Sequence, residues 1–175
     1  RARMPMQRYS VNLSAASISD STWVRELAEI IQTSEVPGER LVFEVSEKAA
    51  MENIDATAAF IDQLRPLGVR FALDDFGTGF SSFYYLKRFA VDYLKINNSF
   101  TQDLRDNAES RVFIKAVNGL AHDLKRQVVA KGVENAETLK LLKDAGTLYA
   151  QGNFLQPVAR LGEGMRPRSR GSARA

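Results

Sequence analysis

Short apolar runs alternate along the chain with stretches whose apolar residues recur every third and fourth position, the rhythm of strands alternating with helices. Six runs predict strands: "SVNLS" (10–14), "LVFEVS" (41–46), "VRFALDD" (69–75), "DYLKIN" (92–97), "QVVAK" (127–131) and "TLYAQG" (147–152). The helical stripes between them begin with Trp23, Val24, Leu27, Ile30 and Ile31 behind an Asp20 or Ser21 cap, followed by Ile54, Ala58, Ile61 and Leu64. A third uses Val112, Phe113, Ala116, Val117, Leu120 and Leu124. The last follows an Asn135 cap, uses Leu139 and Leu142 and stops at Gly146. These stripes read as core packing, and the alternation predicts βα units around a parallel sheet.

Each predicted strand ends in a polar residue where its apolar run stops: Asn12, Glu44, Asp74 with Asp75, Lys95 with Asn97, Lys131, and Gln151. A (β/α) barrel builds its active site from such strand ends. An open flavodoxin-like sheet would use only those around a switch point. The expected fold is therefore α/β, a modified TIM (β/α)8-type barrel, incomplete with about six strands and their helices. A full barrel typically takes about 250 residues, so roughly two strands and their helices, ~75 residues, are expected upstream of Arg1.

Composition narrows the chemistry. The 175 residues, 45% of them hydrophobic, suit one domain with a sizeable core. Cysteine is absent, which excludes disulfides, thiolate metal sites and cysteine nucleophiles. The single histidine, His122 in "GLAHDLKR", lies near the end of a helical pattern and reads as a surface or cap residue. The net charge of +3 is a tail property: five arginines and one glutamate from Arg160 onward make the tail +4 and the rest −1. Residues 1–159 are read as the folded domain and 160–175 as a basic, flexible tail. No run is long enough to span a bilayer, and neither nucleic-acid nor membrane contact is expected from this chain.

Glu44, Asp74 and Asp75 are hard oxygen donors on neighbouring strands, the set that suits Mg²⁺ or Mn²⁺. Adjacent aspartates at a strand end are expected to point to different sides, which would let a pair serve two metals. The loop that follows, "DDFGTGFSS", has glycines for unusual backbone angles but neither a Walker lysine nor the G-x-G-x-x-G spacing.

Read together, "VNLSAASI", "LVFEVSEKA", "FALDDFGTGFSSFYYLKRFAVDYLKI", "VVAKGVENAETLKLLKDAG" and "YAQGNFLQPVA" resemble the successive motifs of EAL domains, bacterial phosphodiesterases and receptors of cyclic di-GMP. The resemblance implies a barrel that binds cyclic di-GMP across its C-terminal face. Active members use two Mg²⁺ or Mn²⁺ ions to open the nucleotide to linear pGpG. Carried over by motif, Asn12, Glu44, Asp74 and Asp75 match metal ligands, and Lys95 the lysine that holds the catalytic water. Gln151 and Pro157 fall among the ligand-binding positions. Gly77, Thr78 and Gly79 form the loop, and Glu134 matches the glutamate that steadies it. Relatives dimerise through the loop and following helix, here Asp74 to Phe89.

Three departures mark the chain as a degenerate member. The Glu-Ala-Leu strand is not seen because the sequence begins after it, Asn97 stands where the family has an aspartate, and Lys131 where it has a glutamate that is a metal ligand and candidate base. Two divalent ions need about four compensating charges, and an ammonium opposes them. Lys131 could contact the cyclic phosphates alongside Lys95, or pair with Asp74 or Glu44. The leading expectation is a cyclic di-GMP receptor with little or no hydrolysis and no metal cofactor. The alternatives are an active Mg²⁺- or Mn²⁺-dependent phosphodiesterase and a protein-interaction module without nucleotide binding. A bacterial cytoplasmic setting, within a larger multidomain or membrane-attached protein with other signalling partners, is expected.

Overall fold

A computed structural model of the chain describes residues 8–79 and 83–156. Six strands, β1 (Tyr9–Leu13), β2 (Leu41–Ser46), β3 (Arg70–Phe76), β4 (Tyr93–Ile96), β5 (Gln127–Ala130) and β6 (Tyr149–Ala150), form one sheet in sequential order. Every neighbouring pair is parallel. Successive right-handed crossovers that always step the same way leave all connecting helices on one face of the sheet. That is the winding of a barrel wall, and the fold is an incomplete TIM-type barrel.

The two faces show it directly. Phe43, Val45, Phe71, Leu73, Leu94 and Ile96 point outward into a continuous core with helical residues such as Ile61, Leu64, Ile114, Val117 and Leu142. The intervening strand positions Val42, Ala72 and Tyr93, with Val129, form a separate inner cluster that no helix joins. Residues two apart on a strand share a face, so this split follows from the strand repeat. Phe43, Phe60 and Phe71 meet at centroid distances of 6.3, 6.1 and 5.8 Å and anchor the outer core. Truncating one such buried ring costs about 3–5 kcal/mol.

The helices are α1 (Ala15–Ser19), α2 (Ser21–Thr33), α3 (Glu47–Glu52), α4 (Ile54–Leu64), α5 (Phe83–Arg88), α6 (Asn98–Gln102), α7 (Ala108–Asp123) and α8 (Ala136–Asp144). Side chains of Asp20, Asn53, Asn107 and Asn135 accept backbone N–H groups at the starts of α2, α4, α7 and α8. Each cap satisfies donors that the first helical turn leaves unpaired. Gly146, at φ 86, follows α8 in the left-handed conformation that ends many helices.

At the N-terminal end of the wall, Asp92 accepts the Phe71 N–H at 2.9 Å and pairs with Arg65 and Arg70 at 3.4 Å. Arg126 donates to the carbonyls of Leu86 and Phe89, closing the end of α5. Burial, with Arg65 nearby, holds its pKa below the ordinary value. This end is built for stability and leaves the opposite end for chemistry.

Candidate functional site

The strand ends bring the predicted residues to one rim. On β2, Glu44 lies in register between Asn12 of β1 and Ala72 of β3. Asn12 is exposed, whereas Glu44 is buried and forms an ion pair with the equally buried Lys95 of β4. Glu44, Lys95 and Gln151 line a cavity of about 190 Å³ whose lower wall is the inner cluster Val42, Ala72, Tyr93 and Val129.

The end of β3 departs from regular strand geometry. Its pairing with β4 shifts register between Leu73 and Phe76, and Asp75 adopts φ 54. Consecutive side chains on a regular strand point to opposite faces. Here the irregularity turns both carboxylates the same way, correcting the expectation that they diverge. Lys131, just beyond β5, donates to Asp74 Oδ1 at 2.9 Å, Asp74 Oδ2 at 3.0 Å and Asp75 Oδ1 at 2.8 Å. Of the pairings expected for Lys131, that with Asp74 forms, Asp75 joins it, and Glu44 is taken by Lys95.

Asn97 completes the cluster. Its Nδ2 donates to Asp75 Oδ1 at 2.9 Å while its Oδ1 accepts the Ser99 N–H at 2.9 Å and caps α6. The backbone can come this close because Gly132, at φ 74, has no side chain; a Cβ there would lie 2.8 Å from Asn98 Cβ. For Lys131, burial works against the charged form but its hydrogen bonds to Asp74 and Asp75 prevail, so its pKa lies above the ordinary lysine value. Hydrogen bonding to Lys131 holds Asp75 below its usual carboxylate pKa, against burial and with help from Asn97.

The loop after β3 is held from below by a residue the motif reading missed. Glu47 is buried at the start of α3, and its Oε2 accepts the Gly77 and Gly79 N–H groups at 3.1 and 3.3 Å. Glu134, the expected loop support, instead accepts from Asn153 Nδ2 at 3.2 and 3.3 Å. The reason is position: the first turn of α3 packs beneath the loop, whereas Glu134 lies beyond β5 on the connection toward α8. Glu47 left no periodic signal in sequence. Its one mark is a carboxylate three residues after Glu44, at the start of a helix too short to show a stripe.

Thr78 closes the turn onto the Asp75 carbonyl through its hydroxyl at 2.9 Å. Gly77, at φ 99, abuts the stacked rings of Phe100 and Phe113, whose centroids are 4.0 Å apart; a Cβ would lie 2.8 and 2.5 Å from them. Pro157, the tail 160–175 and part of the Asp74–Phe89 segment, residues 80–82, lie outside the described residues. Within that segment Leu86 and Phe89 are buried in the core, and His122 is exposed on the last turn of α7.

Active EAL phosphodiesterases use divalent ions, which the carboxylates described here would have to hold beside two ammonium groups. Three carboxylates against two ammonium groups leave one negative charge, and the ammonium of Lys131 sits where an ion would meet Asp74 and Asp75. Among the described residues, no three His, Cys, Asp or Glu side chains are grouped to hold a metal. No described helix is long and apolar enough to cross a membrane.

The family model for the EAL domain matches residues 1–158. The cyclic di-GMP phosphodiesterase PdeB of Shewanella oneidensis is 37% identical over 153 residues, covering 86% of this chain and 18% of that protein. PdeF of Escherichia coli, also named a cyclic di-GMP phosphodiesterase, is 34% identical over 155 residues, covering 89% and 21%. The chain thus spans about a fifth of the length of these curated relatives. Among solved structures, the FimX EAL domain from Pseudomonas aeruginosa bound to c-di-GMP superposes with a TM-score of 0.80 at 31% identity, over 85% of this chain and 61% of that one. A complex of the MucR phosphodiesterase with c-di-GMP gives 0.79 at 32% identity, over 85% and 60%. The chain belongs to the EAL domain family.

Proposed function

We propose that this chain is a cyclic di-GMP-binding signalling domain with little or no phosphodiesterase activity. The observation that carries the reading is the contact of Lys131 Nζ with both Asp74 and Asp75. A fixed ammonium supplies part of the charge a metal would bring but cannot lower the pKa of a water as a divalent ion does. Asn97 offers no base, since an amide has no usable proton affinity near neutral pH. Related EAL domains solved with c-di-GMP support the choice of ligand. The ligand would meet the rim formed by Asn12, Gln151 and the Gly77–Gly79 loop, with Pro157 a further contact carried over by motif alone, in a domain of residues 1–159 acting in the bacterial cytoplasm beside other signalling modules.

The alternative reading, an active phosphodiesterase making pGpG with Mg²⁺ or Mn²⁺, draws on relatives that carry that name. Incubating the chain with cyclic di-GMP and Mn²⁺ and resolving the products separates the two. Intact nucleotide is expected; rapid accumulation of pGpG would overturn the receptor reading.

A further inference from the structure

Two described non-glycine residues adopt left-handed backbone, Asp75 and Lys125. Lys125 lies in the turn between α7 and β5, while Asp75 lies within β3, at the point where the candidate site begins. Such a backbone persists where the surroundings over-determine it. At Asp75 the holding groups are visible: Lys131 Nζ and Asn97 Nδ2 both donate to Oδ1, at 2.8 and 2.9 Å, and Thr78 Oγ1 donates to the carbonyl.

Asn97 is not free to turn away. Its Oδ1 is committed to the Ser99 N–H as the cap of α6, which directs the other amide atom at Asp75. A carboxylate in the same pose would press an oxygen against Asp75 Oδ1 and need a cation between them; the amide needs none. α6 also carries Phe100, which with Phe113 abuts Gly77. One short helix therefore touches both ends of the turn that runs from Asp75 to Gly77.

We propose that Asn97 and Lys131 act as one unit in place of a divalent ion, holding Asp75 in its left-handed turn and so presetting the Gly77–Gly79 backbone without metal. They are positioning residues, and their effect is on the loop rather than on any reacting atom. The inference rests on the reading that this site works without metal. It does not require nucleotide binding, so its test omits the nucleotide and its failure is distinct from failure of the receptor reading.

The test is NMR-detected amide exchange at Gly77, Thr78 and Gly79, with Mg²⁺ or with EDTA. Equal protection in both is expected for the parent chain. Asn97→Ser keeps a good helix cap and removes the donor to Asp75. It should speed exchange at these amides about tenfold, the scale of one lost hydrogen bond to a charged group, with core amides unchanged. Lys131→Glu combined with Asn97→Asp should lose protection in EDTA and regain it with Mg²⁺. Protection of the parent chain that appears only with Mg²⁺ would overturn the proposal without any variant, as would an unchanged loop in a folded Asn97→Ser protein.

Discussion

The ammonium of Lys131 bridges the end of β5 to that of β3 by a two-pronged contact with Asp74, 2.9 Å to Oδ1 and 3.0 Å to Oδ2. Removing the cation would leave two carboxylates facing each other. Lys131→Met is expected to lower stability by about 1–2 kcal/mol, below the range for a fully buried pair because the Asp75 side chain is 41% exposed. Urea unfolding checks it, and a midpoint equal to the parent's would show that the contact contributes nothing.

Neutralising Asp74 should act opposite to the loss of a metal ligand. Asp74→Asn removes one negative charge from the rim that an anionic nucleotide would approach and frees part of the Lys131 ammonium. Cyclic di-GMP binding in EDTA is expected to tighten about threefold to tenfold, and more at low salt. Weaker binding of Asp74→Asn in EDTA would show that the Asp74 carboxylate supports the nucleotide directly and does not oppose it.

The pKa directions set a pH window for stability. Asp75 is lowered in the fold, so its contribution is present above its ordinary value of 3.8 and lost as pH falls through the lower folded value. Lys131 is raised, so its contribution is full below 10.5 and lost as pH rises through the higher folded value. Urea midpoints should hold level between these limits as far as this pair is concerned. Asp75→Asn should remove part of the acid limb, and Lys131→Met part of the alkaline one.

Gly77→Ala should disturb the loop through packing alone, with every polar side chain of the site left in place. The added methyl would meet the Phe100 and Phe113 rings at under 3 Å and adopt an unfavourable φ of 99. A stability loss of about 1–3 kcal/mol is expected, together with weaker nucleotide binding. Phe113→Leu in the same chain should recover part of both by making room.

Much of this was legible before any coordinates. Leu41–Ser46 is the strand that its apolar run predicts, and Asp20 and Asn135 cap the helices they were expected to start. Long amphipathic helices such as α7 show themselves because many residues sample one period. The five- and six-residue helices α1, α3, α5 and α6 sample it too briefly, which hid Glu47 and the capping role of Asn97. The charge reversal at Lys131 was plain in the sequence, but its pairing was not. Which carboxylates it meets depends on the irregularity at Asp75, a backbone feature set by tertiary contacts and not by the identity of two adjacent aspartates.

The central claim is that a cyclic dinucleotide binds here without divalent metal and remains intact. Isothermal titration of the chain with cyclic di-GMP, run in EDTA and again in Mn²⁺ with product analysis of the cell contents, tests it most directly. Saturable binding of similar affinity in both buffers is expected, with the cyclic nucleotide recovered intact. Absence of heat at high micromolar ligand in EDTA, or binding that appears only with Mn²⁺ and yields pGpG, would contradict it.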